Sequence, residues 1–131
     1  MKYLRGYKLF ESLSTDEKED IKDILLELED DGFSIEFDTR EVGYLSYPHN
    51  YYYVTIERKI EFKYSDVSEV IERLKDYLGD KIEEIVVKVP KVIIDHIYIV
   101  YTWVDLLDYI SDKDHLLYKD TISILTIKIT M

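Results

Sequence analysis

Ile21, Ile24, Leu25 and Leu28 recur at three- and four-residue steps among acidic side chains, the spacing of one buried face on an α-helix. Ahead of them, Ser14-Thr15-Asp16-Glu17 reads as a capping box, in which the serine side chain takes the Glu17 amide and Glu17 reaches back. Gly32 supplies a left-handed stop at the far end. Phe33-Ser34-Ile35-Glu36-Phe37-Asp38 then alternates apolar and polar, as a strand with one wet face must. After a loop or distorted extension to Asn50, residues Tyr53 to Phe62 alternate again. Val54, Ile56, Ile60 and Phe62 fall on one face, and Thr55, Glu57, Lys59 and Glu61 on the other. Asp66 with Glu69 opens a second helix, with Val67, Val70, Ile71, Leu74, Tyr77 and Leu78 as its buried stripe and Gly79 at its end.

The two helical patterns match position for position, Asp20-Ile21-x-x-Ile24-Leu25-x-x-Leu28-x-Asp30 against Asp66-Val67-x-x-Val70-Ile71-x-x-Leu74-x-Asp76, so both are expected to cover the same kind of sheet face. Two β-branched runs follow, Ile82–Val89 and Lys91–Tyr101. Pro90 lies between them and, lacking an amide hydrogen, marks a strand end or an edge. Val104, Leu107 and Tyr109–Ile110 suggest a short helix, Ser111 to Asp120 a polar connection, and Thr121 to Met131 a last strand with Leu125, Ile127, Ile129 and Met131 on one face.

Residues 1–13 read either as a first strand, Lys2–Leu9 with Tyr3, Tyr7 and Leu9 alternating, or as an N-terminal arm. With the strand, the order is βαββαβ followed by a strand, a short helix and a strand. The first six elements match the split βαβ, ferredoxin-like pattern. The expected fold class is therefore α+β: an antiparallel sheet with two helices on one face, extra C-terminal strands and a short third helix. At 131 residues and 47% hydrophobic, the chain suits one domain spanning residues 1–131.

Charge changes this picture at one place. Thirteen of the 28 acidic residues lie between Glu11 and Glu41, opposed there by Lys18, Lys22 and Arg40 alone. That window carries −10 of the net −11, so the rest of the chain is close to balanced. Asp20, Asp23, Glu27 and Asp31 form one stripe along the first helix, with Asp30 beside it. Acids in the first turn suit the positive helix terminus. Glu27, Glu29, Asp30 and Asp31 lie at the negative one, where each costs about 0.3–1 kcal/mol. Helix stability does not account for them. A solvated face or a partner-binding face does, and Asp20, Asp23, Glu27, Asp30 and Asp31 are the candidate partner-binding acids. Glu27-x-Glu29-x-Asp31-Gly32 partly mimics a calcium loop, but its first half is helical and its twelfth position is Asp38, so no metal site is read here.

A pI near 4.6 argues against direct nucleic-acid binding and against an anionic membrane face, both of which repel an acidic surface. The apolar stretch from Val89 to Ile110 is broken by Pro90, Lys91, Asp95, His96, Asp105 and Asp108, so no bilayer span is expected. Met1–Leu13 has no unbroken apolar segment or small-residue cleavage site, so no secretory leader is expected there. With no cysteine, disulfides, thiolate catalysis and Cys-based zinc sites are excluded.

The second candidate surface is aromatic. The chain has 13 tyrosines, and Tyr44, Tyr47, Tyr51, Tyr52 and Tyr53 surround Pro48-His49-Asn50. Three consecutive tyrosines in a strand cannot all face the core, so at least one ring points outward, where tyrosine makes a large rigid contact with a polar tip. Tyr44, Tyr47, Tyr51 and Tyr52 are the candidate contact residues. Packing over sheet edges is the competing use. The histidines show no metal-ligand spacing, although Asp95 and His96 would form a carboxylate–imidazole group if the fold brought them to Asp112, Asp114 and His115. No phosphate loop, dinucleotide fingerprint or nucleophile elbow occurs. A catalytic role is disfavoured, and no cofactor is expected.

The segment Lys2-Tyr3-Leu4…Lys8-Leu9-Phe10-Glu11-Ser12, followed by Asp20-Ile21-Lys22-Asp23-Ile24-Leu25-Leu26-Glu27-Leu28-Glu29-Asp30-Asp31-Gly32-Phe33, resembles small uncharacterised proteins encoded by tailed bacteriophages. It covers about a quarter of the chain and carries no activity or site residues. The resemblance implies an infected bacterial cytoplasm, where small acidic proteins often inhibit host nucleic-acid-binding machinery.

Taken together, these features point to a non-enzymatic protein whose acidic helix docks on a basic surface of a host nucleic-acid-binding or defence protein, as an inhibitor or nucleic-acid mimic. A second reading is a small-ligand or nucleotide module, with a homodimer joined through the sheet edges as one form of it, using the tyrosines with Arg40, Arg58 or Lys59. A third is a virion or assembly component.

Overall fold

The computed structural model describes residues 13–42, 49–93, 98–112 and 120–131. Helix α1 (Thr15–Asp30) starts as its sequence dictates. The Ser14 hydroxyl accepts from the Glu17 amide at 3.0 Å, and the Glu17 carboxylate accepts from the Ser14 amide at 3.0 Å. It ends in a Schellman turn: the Gly32 amide donates to the Glu29 carbonyl at 3.1 Å and the Phe33 amide to the Leu28 carbonyl at 3.0 Å. That closure needs the left-handed backbone of Gly32, at φ +91°.

Strands β1 (Ser34–Val42) and β2 (His49–Phe62) follow, then a 3₁₀ turn (Tyr64–Asp66), helix α2 (Ser68–Leu78) and a second 3₁₀ turn (Gly79–Lys81). Strands β3 (Ile82–Ile93) and β4 (Tyr98–Asp105), helix α3 (Leu106–Ser111) and strand β5 (Ile122–Thr130) complete the described elements. They form an α+β fold: a five-stranded sheet in the order β1-β2-β5-β3-β4, every neighbouring pair antiparallel, with three helices.

β5 runs antiparallel between β2 and β3, so those two point the same way and α2 crosses from one to the other. β5 therefore separates β2 from β3 in the sheet. Residues 2–9, read above as a first strand or as part of an N-terminal arm, lie outside those described, and the ferredoxin-like order as a whole does not follow from this sheet.

One face of the sheet is covered. Ile21, Leu25 and Leu28 of α1, Val70, Ile71, Leu74 and Leu78 of α2, and Leu106 and Tyr109 of α3 form a single core with Val54 and Ile56 of β2, Val87 and Val89 of β3, and Leu125, Ile127 and Ile129 of β5. Each such aliphatic side chain contributes about 1.5–3 kcal/mol by leaving water. An exposed ion pair contributes about 0–1 kcal/mol, so the apolar stripes and not the surface charges hold the helices down.

Four expectations need correction. Ile60 does not join Val54 and Ile56 inside: it is 75% exposed, because the ladder with β5 jumps from Glu57↔Ile124 to Phe62↔Ile122 and the intervening bulge breaks the alternation. Tyr77 leaves the buried stripe of α2 and is 42% exposed. β1 and β2 are longer than the strands expected, reaching Val42 and beginning at His49. Pro90 does not end its strand, since it pairs in register with Tyr101 inside β3. Pairing with β5 stops at Lys88, so among the described residues β3 has a neighbour on only one side at Pro90, the edge position that was the other reading of this proline.

Candidate functional site

The geometry of α1 splits the predicted acidic stripe in two. The Asp20 carboxylate accepts the Tyr77 hydroxyl at 2.6 Å, and the Glu27 carboxylate accepts Arg73 at 2.6 Å. Glu17 pairs with Lys81. These three acids line the side of α1 that faces α2, and their partners come from α2 and the turn that follows it. The Lys81 ammonium bonded to Glu17 holds that carboxyl below its usual value, with smaller help from the Ser14 amide and hydroxyl against the cost of burial. The hydrogen bond to Asp20 pushes the Tyr77 hydroxyl up to about 12, aided by desolvation and by the neighbouring charges.

The remaining candidates point elsewhere. Glu19, Asp23 and Asp30 fall on the side of α1 opposite its buried face, with Leu26 among them, 53% exposed. Asp31 continues this surface past the helix end. None of these carboxylates has an ion pair among the described residues. The helix's own bases do not offset them. Lys18 lies over the Tyr52 ring at 5.2 Å and Lys22 over the Phe37 ring at 5.4 Å, both on the flank toward β1 and β2. The last turn of α1 contains no basic residue. Asp23, Asp30 and Asp31 thus form an outward acidic surface, whereas Asp20 and Glu27 brace α1 against α2.

The tyrosines also divide, by the period of β2. Tyr52 is 5% exposed and stacks on Phe37 at 5.8 Å, so it is a core residue and not the outward contact proposed from the sequence. Tyr51 and Tyr53 emerge on the opposite face, which the helices leave open, with ring centroids 6.4 Å apart. Lys128 lies over Tyr51 at 4.2 Å, and Arg40 lies over Tyr53 at 4.7 Å while its Nε donates to Asp38 at 2.7 Å. Tyr44 and Tyr47 lie outside the described residues.

On this open face the ladders align Glu36, Thr55, Thr126, Val86 and Asp105 in one row from β1 to β4. The next row runs Ser34, Glu57, Ile124, Lys88 and Trp103. A shallow groove of about 400 Å³ lies between Tyr53 and Trp103, floored by Thr55, Thr126 and Val86. Trp103 was missed by sequence reasoning. Its position on the odd-numbered, uncovered side of a strand was the available signal.

Two of the three basic residues considered for ligand binding are engaged. Arg40 is held by Asp38. Arg58 packs over Phe33 at 4.6 Å, donates to the Ile60 carbonyl at 3.2 Å and approaches Asp66 at 3.6 Å, so it organises the β2 bulge. Lys59 is exposed beside Ile60. Among the described residues no group of three or more His, Asp or Glu side chains is placed to hold a metal. Asp95, His96, Asp114 and His115, the residues that would converge with Asp112, lie outside the described residues. No helix among the described residues is long and apolar enough to cross a membrane. Compared with protein-family models, curated proteins and solved structures, the chain matches none.

Proposed function

We propose that this is a non-enzymatic binding protein that presents the outer face of α1 to a basic protein surface, one that ordinarily binds nucleic acid. The observation that carries this reading is the separation of roles along α1. Asp20 and Glu27 fix the helix to α2, while Asp23, Asp30 and Asp31 face outward without a basic partner among the described residues. Carboxylates one turn apart repeat every ~5.4 Å, near enough to the phosphate spacing of a nucleic-acid strand to compete for an arginine-rich groove. A helix braced in this way gives up little freedom on docking, and opposite charge accelerates the encounter. The resemblance to phage-encoded proteins makes the host bacterial cytoplasm the proposed setting and a nucleic-acid-binding or defence protein the proposed target, inhibited by mimicry.

The test is capture from bacterial lysate at low and high salt with the wild type and with a variant carrying Asp23→Lys, Asp30→Lys and Asp31→Lys. The expected result is a basic protein retained at low salt, lost at high salt and lost with the variant, whose own nucleic-acid binding falls when the wild type is added. Equal capture by the folded variant removes α1 from the mechanism.

A second reading is supported by the groove between Tyr53 and Trp103, where two aromatic rings flank threonine hydroxyls, a setting suited to a planar ligand such as a nucleotide base. A thermal-shift series with nucleotides tests it, and no shift with any of them refutes it. The finer architectural reading, a split βαβ fold of ferredoxin-like kind, is supported by the parallel direction of β2 and β3 around β5, with α2 as their crossover.

A further inference from the structure

The two edges of the sheet are built differently. β1 places Glu36, Asp38, Arg40 and Glu41 along its edge, the kind of charge that discourages a further strand from pairing. β4 has no charged residue from Tyr98 to Val104. Of the nine large apolar side chains exposed among the described residues, four lie consecutively or nearly so on β4: Ile99, Val100, Tyr101 and Trp103, each 38–52% exposed. Ile99, Tyr101 and Trp103 face the open side with Lys88, and Val100 faces the helix side, so both faces of this edge are apolar. No described strand pairs with the outer side of β4.

We propose that a second copy of this chain covers this edge, by antiparallel β4–β4 pairing about a two-fold axis near Tyr101. Such an axis sets Tyr101 opposite its counterpart, Ile99 opposite Trp103 and Val100 opposite Thr102, so the edge is apolar against apolar except in the two symmetry-related rows that contain Thr102. The overall charge of −11 opposes self-association, but most of it lies on the other side of the molecule. The acidic helix contacts β1, four strand spacings away from β4, or roughly 19 Å at about 4.8 Å per step, beyond the ~8–10 Å over which salt leaves charges visible to each other. Most of the charge that would resist pairing is therefore remote from this edge, Asp105 at the end of β4 and Asp108 of α3 being the described acids nearest it.

The inference is independent of the function proposed for α1, and salt separates them: docking through α1 weakens as salt rises, whereas pairing through β4 strengthens as the residual repulsion is screened. Light scattering over a wide concentration range is expected to give twice the 15.7 kDa chain mass at the upper end, more completely at high salt. Tyr101→Lys and, separately, Trp103→Lys are expected to return the protein to monomer with an unchanged circular dichroism spectrum, both side chains being about half exposed. As a readout that needs no variant, hydrogen exchange of the Tyr98–Asp105 amides is expected to slow as concentration rises. A wild type monomeric at every concentration and salt overturns the proposal. So does a dimer indifferent to both substitutions, or a dimer that forms only after residues 1–12 are removed, which would show the edge covered by the chain itself.

Discussion

The Tyr77 hydroxyl donates to the Asp20 carboxylate at 2.6 Å, joining residues 57 positions apart across the α1–α2 seam. The same seam is tied again at Arg73–Glu27 and at Lys81–Glu17. These contacts act on the orientation of α1 more than on its attachment, which the buried stripes supply.

The Tyr77–Asp20 bond gives the protein a signature in base. The Tyr77 hydroxyl rises from an ordinary 10.0 to about 12. A group with a raised folded value contributes stability that is present below its unfolded value and is lost as pH climbs through the folded one. Tyr77→Phe is therefore expected to lie below the wild type in urea midpoint by a constant amount up to about pH 10, with the gap closing toward pH 12. A gap unchanged above pH 12 would show that the hydroxyl is not the group responsible.

Asp30 and Asp31 are predicted to cost the fold stability that their proposed role requires. Both lie at the negative end of α1 with no base in its last turn. Replacing either with lysine should stabilise by about 0.3–1 kcal/mol at low ionic strength, fading with added salt. Thermal denaturation of Asp30→Lys and Asp31→Lys at two salt concentrations checks this. Loss of partner binding alongside gained stability would mark them as functional acids.

Tyr64 is the one described side chain with a fully buried polar atom and no hydrogen-bond partner among the described residues. Burial, together with the Glu72 charge, raises its hydroxyl. Tyr64→Phe keeps the ring and removes the orphaned donor, and should raise stability by about 1 kcal/mol in urea unfolding. A loss of similar size would reveal a partner that the described contacts do not include.

The β2 bulge makes two isoleucines four residues apart behave oppositely. Ile56→Ala should cost about 2–5 kcal/mol, as expected for a fully buried branched side chain. Ile60→Ser, at a site 75% exposed, should change stability by no more than about 0.5 kcal/mol. Comparable losses for the two would mean that the alternation continues through the bulge.

This pair also shows where sequence reading ran out. Period-two alternation is a local rule, and it held from Tyr51 to Glu57 of β2 and from Leu125 to Ile129 of β5. It failed at Arg58–Glu61, where the pairing partner skips residues and Arg58 is drawn over Phe33, a contact no local pattern announces, and across the ladder at Ile122–Leu125, where two buried residues stand three apart. Both ends of α1 were legible because a capping box and a Schellman glycine each act within a few residues. Which of its acids remain outward was not, since Tyr77 and Arg73 reach Asp20 and Glu27 from a distant part of the chain. The same limit hid the inward turn of Tyr52, which depends on strand phase, and the central place of β5, which depends on pairing with strands met tens of residues earlier.

Because β5 is the one described strand that bridges β2 and β3, the described sheet is two antiparallel pairs with a keystone between them. Among the described residues, without residues 122–130 β1–β2 and β3–β4 share no ladder, and each keeps an unpaired inner margin. Assembly is then an all-or-none event of high contact order, in which neither half gains its full hydrogen bonding before the other. Severed between Ser111 and Asp120, the molecule is a natural candidate for reconstitution from two fragments, the smaller being the strand that locks the larger shut.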